Sequence, residues 1–180
     1  PRLRGSPANV EAERATLGAF LKDPTTLSLH SEGLEADDFF LEPHRHVYQA
    51  IADVYGRGEH VDLVTVGEDL QKMGKLDAVG GPLFLGDLIE DVGTTVGLEH
   101  YVKIIREKSL IRKMIAATTE IASRGYAADL ELTEFLDDAE SKVFEVLTGK
   151  RSSPVQPIAD VLTKTLEILR MQQERGGAMA

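Results

Sequence analysis

Apolar residues recur along most of the chain at steps of three and four, the period of one helix face. The first such stretch follows Asn9, an N-cap residue type, with Glu11 and Glu13 in the turn where carboxylates favour the helix dipole and Val10, Leu17, Phe20 and Leu21 as its apolar positions. Asp23-Pro24 stops it. After a loop or short helix through Asp37-Asp38-Phe39-Phe40, Pro43 opens a helix carrying Val47, Ala50, Ile51, Val54 and Tyr55, ended by Gly56 and Gly58. Asp62 caps the next, with Leu63, Val66, Leu70 and Met73 on one face and Gly74 as terminator, although Val61, Leu63 and Val64 also fit a short strand. Gly80-Gly81-Pro82 breaks the chain and restarts a helix with Leu83, Phe84, Leu85, Leu88 and Ile89. The pattern predicts an all-α helical head over residues 1–96, with a flexible tail over 1–6.

Beyond Gly93-Thr94-Thr95 two long segments follow, roughly 97–124 and 130–148, separated by Gly125 to Asp129. They predict an antiparallel helical hairpin over 97–148. Leu132, Leu136, Ala139, Val143 and Val146 recur at steps of 4, 3, 4 and 3, and Ile104, Lys108, Ile111, Ile115 and Thr118 keep the same rhythm, that of a coiled-coil seam. The first arm carries Lys103, Arg106, Lys108, Arg112 and Lys113 against Glu107, whereas Asp129 to Glu140 holds six acids and no base, so the arms are expected to pair by charge. Residues 149–157 have the Gly, Ser and Pro content of a linker. A last amphipathic helix over 158–175, with Ile158, Leu162 and Leu169 on its apolar face, has no core of its own and needs a partner elsewhere.

At 180 residues the chain is long enough to bury a core, and 42% hydrophobic against 28% charged residues fits an ordered domain. There is no apolar run of spanning length and no signal segment. Zero cysteines exclude disulfides and thiolate metal sites, and are compatible with a reducing cytoplasm. The absent initiator Met and the Gly-Gly-Ala-Met-Ala tail suggest a piece of a longer protein. Net charge is −10; residues 150–180 carry five basic against three acidic side chains, which leaves −12 on residues 1–149. So acidic a body suits phosphate backbones poorly, and weak or no DNA binding is expected of the chain alone.

Little catalytic chemistry is legible. Gly149-Lys150 is the one candidate for a phosphate loop, but Phe144 stands where its first Gly belongs and Arg151 where its Ser or Thr belongs. His44 and His46, two apart on a helix, point to different sides and have no third ligand in view. Glu11 with Glu13 and Asp37 with Asp38 read as solvated faces, Phe39 and Phe40 as core anchors, and Phe84 as open between core and surface. No catalytic, cofactor or metal residue is assigned.

Taken in order, Asn9-Val10-Glu11-Ala12-Glu13, Leu17-Gly18-Ala19, Asp23-Pro24, Asp38-Phe39, His44, Val61 to Thr65, Gly80-Gly81 and Glu107-Lys108-Ser109 with Arg112 resemble one family. The chain is similar to the N-terminal domain, with linker helix, of the DnaB-type bacterial replicative helicase. That resemblance implies a collar in which hairpins pair into dimers and six heads form a trimer of dimers, with Ile104, Ile111, Leu132, Leu136, Val143 and Val146 as the interface. It implies docking of the primase C-terminal domain at Phe84, Ile115 and Ile121, and of the helix holding Ile158, Leu162 and Leu169 on a neighbouring subunit's motor domain. The ATP-dependent helicase activity, with ATP and Mg, then belongs to a motor domain downstream, and the fragment alone is inactive. The family's usual Val-Pro-Thr is Val92-Gly93-Thr94 here, which implies a looser joint before the hairpin, since Gly does not fix φ. The alternative is a stand-alone helical adaptor or helicase-loader-like binding protein of the same fold, and a phosphate loop in the downstream sequence separates the two.

Overall fold

The computed structural model describes residues 5–92, 95–127 and 131–149. Eight α-helices and one 3-10 turn occur among them, with no strand: α1 (Val10–Lys22), α2 (Thr25–His30), the turn Ala36–Asp38, α3 (Glu42–Gly56), α4 (Leu63–Lys72), α5 (Leu76–Val79), α6 (Gly81–Asp91), α7 (Leu98–Gly125) and α8 (Leu132–Thr148). The contacts divide the chain after Glu120 into two compact units. Residues 1–4 of the expected tail, Gly93 and Thr94, Asp129, Lys150, and the segments expected to form the linker and a last helix with Ile158, Leu162 and Leu169 lie outside the described residues.

Local chemistry sets the helix starts in the first unit. The Asn9 side chain accepts the Ala12 amide at 2.9 Å, occupying one of the amides a helix start leaves unpaired. Asp62 and Thr65 form a reciprocal capping box at α4, so the Val61–Val64 run is a helix start and not a strand. The four-residue α5 is too short to leave a period in the sequence. It ends at Gly80, whose φ of 108° suits a residue without a side chain and lets α6 begin at once.

Leu17, Phe20, Phe39, Val47, Ile51, Leu70, Leu85 and Leu88 fill one core. Phe39 stacks on Tyr48 at 4.9 Å between ring centroids, and the Tyr48 hydroxyl donates to the Leu34 carbonyl at 2.9 Å. Burial, reinforced by the Asp38 charge, pushes the Tyr48 hydroxyl up to about 12. Among the described residues, helix α1 packs extensively on α6. That packing depends on Gly18, where an added Cβ would sit 2.0 Å from the Leu88 carbonyl oxygen and 2.5 Å from Val92 Cγ2.

The expected division at residue 96 is not where the contacts divide. Leu98, Val102, Ile105 and Ser109 of α7 are buried in the first unit, so the helix read as a hairpin arm begins as part of the head. In the second unit, Arg124 of α7 pairs with Asp138 of α8 at 2.6 Å and approaches Glu134 at 3.7 Å. Glu131 caps α8 by accepting the Thr133 and Glu134 amides, which holds its carboxyl below the ordinary value.

Candidate docking and assembly surfaces

Two carboxylates read as solvated are buried, and they tie the first unit together. Glu13 is 2% and His44 1% exposed, with His44 Nδ1 2.7 Å from Glu13 Oε2. Glu13 Oε1 also accepts the Phe40 amide at 2.6 Å, and its other oxygen lies 3.5 Å from the Leu41 amide. Leu41 is the N-cap of α3 but offers no capping side chain. A carboxylate from α1 therefore accepts the two amides that lead into α3, beside the positive end of its dipole.

Asp38 is the second node. Its Oδ1 accepts from Ser109 Oγ at 2.7 Å and Lys113 Nζ at 2.8 Å, and its Oδ2 from the Glu35 amide at 2.9 Å. Burial pushes this carboxyl up, but the bonds from Lys113, Ser109 and Glu35 together with the Lys113 charge outweigh it and hold it below the ordinary value. Arg112 donates to the Asp38 carbonyl at 2.6 Å and the Pro7 carbonyl at 2.8 Å, with its guanidinium 5.6 Å from the Phe40 ring centre. Desolvation lowers the Arg112 pKa. Arg106 donates to the Glu32 carbonyl.

Arg106, Arg112 and Lys113, three of the six Lys and Arg residues of α7, thus bind the head, where the sequence suggested pairing with the acidic second arm. The carbonyls and the carboxylate they reach are 74 or more residues away in sequence, for Arg106, Arg112 and Lys113 alike. A charge tally along one helix cannot show such partners.

The expected site residues fall in different settings. Phe84 is half-buried, packed on the core, with its ring near His44 and Arg14. Ile115 is 49% exposed on α7, and Ile121 is half-buried in the second unit. Of the expected assembly residues, Ile104 already leans on the head core, and Ile111 is 45% exposed. On α8, Leu132 and Leu136 are more than half exposed, and Val143 and Val146 are half-buried. None of the 17 residues of α8 is buried.

Phe144 and Leu147, also more than half exposed, were not among the expected residues. With Ala139, Glu140 and Val143 they line an apolar hollow of about 440 Å³. The signal was present, since Phe144 and Leu147 follow helical spacing beside Leu136 and Val143 of the seam that was read. A second hollow, of about 390 Å³, lies on the head along Leu63, Val64, Gly67, Leu76 and Pro82. Among the described residues no three His, Asp or Glu side chains gather to hold a metal, and no helix is long and apolar enough to cross a membrane.

A head closed by buried polar ties, followed by a helix that buries nothing, defines an all-helical head-and-hairpin domain. The chain belongs to the DnaB-like helicase N-terminal domain family, whose model matches residues 5–107. It is 40% identical over 171 residues to the replicative DNA helicase DnaC of Bacillus subtilis (strain 168), and 38% identical to the replicative DNA helicase DnaB of Geobacillus stearothermophilus. Each match covers 95% of this chain and 38% of the relative, so the chain spans well under half the length of those proteins. The crystal structure of the N-terminal domain of DnaB helicase from Mycobacterium tuberculosis superposes with a TM-score of 0.73 at 36% identity, covering 78% of this chain and 98% of that one. A DnaB-like replicative helicase studied with its primase interactions shares the fold, with a TM-score of 0.64 at 22% identity over 87% of this chain and 34% of that one.

Proposed function

We propose that this chain is the collar domain of a hexameric replicative DNA helicase, associating with copies of itself through α7 and α8 and docking the primase C-terminal domain. The observation that carries this reading is α8, a 17-residue helix with no buried residue and with Leu132, Leu136, Phe144 and Leu147 largely exposed. Burying such side chains is worth about 1.5–3 kcal/mol each, so a face of this kind is stable in company and costly alone. Val143 and Val146 lie on the same helix, and Ile104 and Ile111 are the interface residues assigned to α7. Unwinding of DNA with ATP and Mg belongs to a motor domain that this chain does not include, and the segment carrying Ile158, Leu162 and Leu169 docks on the motor domain of a neighbouring subunit in the cytoplasm. Primase meets Phe84, Ile115 and Ile121; primase as the class of partner is in keeping with the 22%-identical helicase of the same fold, described with its primase interactions.

The test of assembly is the mass in solution by light scattering across concentration. The chain should associate, and the double variant Ile111→Asp with Val143→Asp should dissociate it, because an unpaired charge in an apolar interface costs several kcal/mol. A wild-type chain that stays monomeric at high concentration would refute the collar role. Phe84→Ala should weaken primase-domain binding by at least about 1 kcal/mol, the threshold for an interface residue that matters, at unchanged mass and helix content. Titration with ATP should give no binding heat.

A further inference from the structure

Phe84 is held from three sides by residues of the first unit. At its base, a Cβ on Gly80 would lie 3.1 Å from Phe84 Cβ, so the turn before α6 closes directly on the side chain. The His44 ring lies nearly parallel to it, at 16° and 6.0 Å between centroids. That ring is fixed in its turn by the 2.7 Å bond to buried Glu13. The Arg14 guanidinium sits 5.5 Å from the centre of the Phe84 ring, where the negative face of an aromatic attracts a cation. Arg14 is anchored by Asp91, which lies two turns further along the same helix as Phe84.

These neighbours differ in what they can be doing. His44 and Gly80 belong to the core and to a turn. Arg14 is about a third exposed and Asp91 about half, and exposed ion pairs of this kind contribute little to stability. The one group in the cluster that folding scarcely needs is therefore the one that lies over the ring. A half-buried phenylalanine without it would sample more than one rotamer, and freezing a side chain during binding costs affinity.

We propose that Arg14 is a positioning residue that, with the His44 ring as a fixed wall, pre-sets the Phe84 ring for partner docking. This rests on the reading of Phe84 as a docking residue. Arg14 acts through the ring and not by touching the partner.

The full 180-residue chain carrying 4-fluorophenylalanine at position 84 tests this, read by fluorine NMR in the free state and by titration with the primase C-terminal domain encoded by the same genome. Arg14→Ala should move the resonance toward that of free fluorophenylalanine and weaken binding about 2- to 5-fold, the range of an exposed cation–π contact. Arg14→Lys, which keeps the cation, should recover most of both. The unfolding midpoint should stay in place. An unmoved resonance in Arg14→Ala overturns the proposal; if binding falls all the same, Arg14 contacts the partner directly. A moved resonance with unchanged binding overturns it as well. A Phe84→Ala chain that binds like the wild type removes the docking reading itself, and any role of Arg14 in docking with it.

Discussion

The two units spend the same residue types in opposite ways. In the first, Leu17, Phe20, Phe39 and Ile51 are sealed from water, and even the carboxylates of Glu13 and Asp38 are enclosed and bonded. In the second, α8 has as clear an apolar stripe and encloses none of it. Amphipathic spacing therefore says that a face seeks cover and is silent about whether the cover comes from the same chain. The head finds its partners within itself; α8 leaves its stripe in contact with water.

The sharpest way to break this contrast is to hollow each unit in turn. Phe20→Ala should cost the head about 3–5 kcal/mol, seen as a lower denaturation midpoint by circular dichroism, with the midpoint measured on dilute protein. Leu136→Ala should leave that dilute midpoint within about 0.5 kcal/mol, as is usual for surface substitutions, and shift the concentration at which light scattering reports association. Equal effects of both on the dilute chain would mean that α8 is covered from within. Next in size, Asp38→Asn should cost about 1–3 kcal/mol, the penalty for disturbing a buried, charge-assisted group.

Its pH behaviour sharpens the point. Because the native pKa of Asp38 is lowered from 3.8, its contribution is complete above that value and fades as pH falls through the native one. The wild-type midpoint should fall with acid more steeply than that of Asp38→Asn in urea titrations. The smallest effect belongs to Tyr48→Phe, about 1 kcal/mol for one hydrogen bond. With a pKa raised from 10.0 to about 12, Tyr48 stabilises fully below pH 10 and loses its contribution as pH climbs toward the native value, so the variant and the wild type should converge in alkali.

The order of the helices was legible because caps and breakers are local. Asn9, Asp62 and Gly80 act within three or four residues of where they stand, and their roles in the structure are the ones the sequence suggested. What was hidden depends on distance along the chain. Glu13 reads as one of two first-turn acids until His44 arrives from α3, and Asp38 as one of a pair until Ser109 and Lys113 arrive from α7. For the same reason Arg106, Arg112 and Lys113 were matched to the acids of the second arm and not to the head. Ile104 shows the complementary difficulty, since an apolar residue in register with a seam can face the head core instead. Phe144 and Leu147 lay one step off the heptad that was followed.

Gly18 carries a genetic consequence. Every missense change that a single base can make in a glycine codon introduces a side chain with a Cβ, and at this position that atom would overlap the Leu88 carbonyl. Even alanine, the smallest outcome, forces α1 and α6 apart, at the cost of about 1–3 kcal/mol typical of overpacking. That is a large share of the stability of an ordinary domain. At the upper end of the growth range the codon should therefore tolerate synonymous changes only, and its missense changes should be a natural source of heat-sensitive alleles, in which the protein works at low temperature and is lost from the cell a few degrees higher.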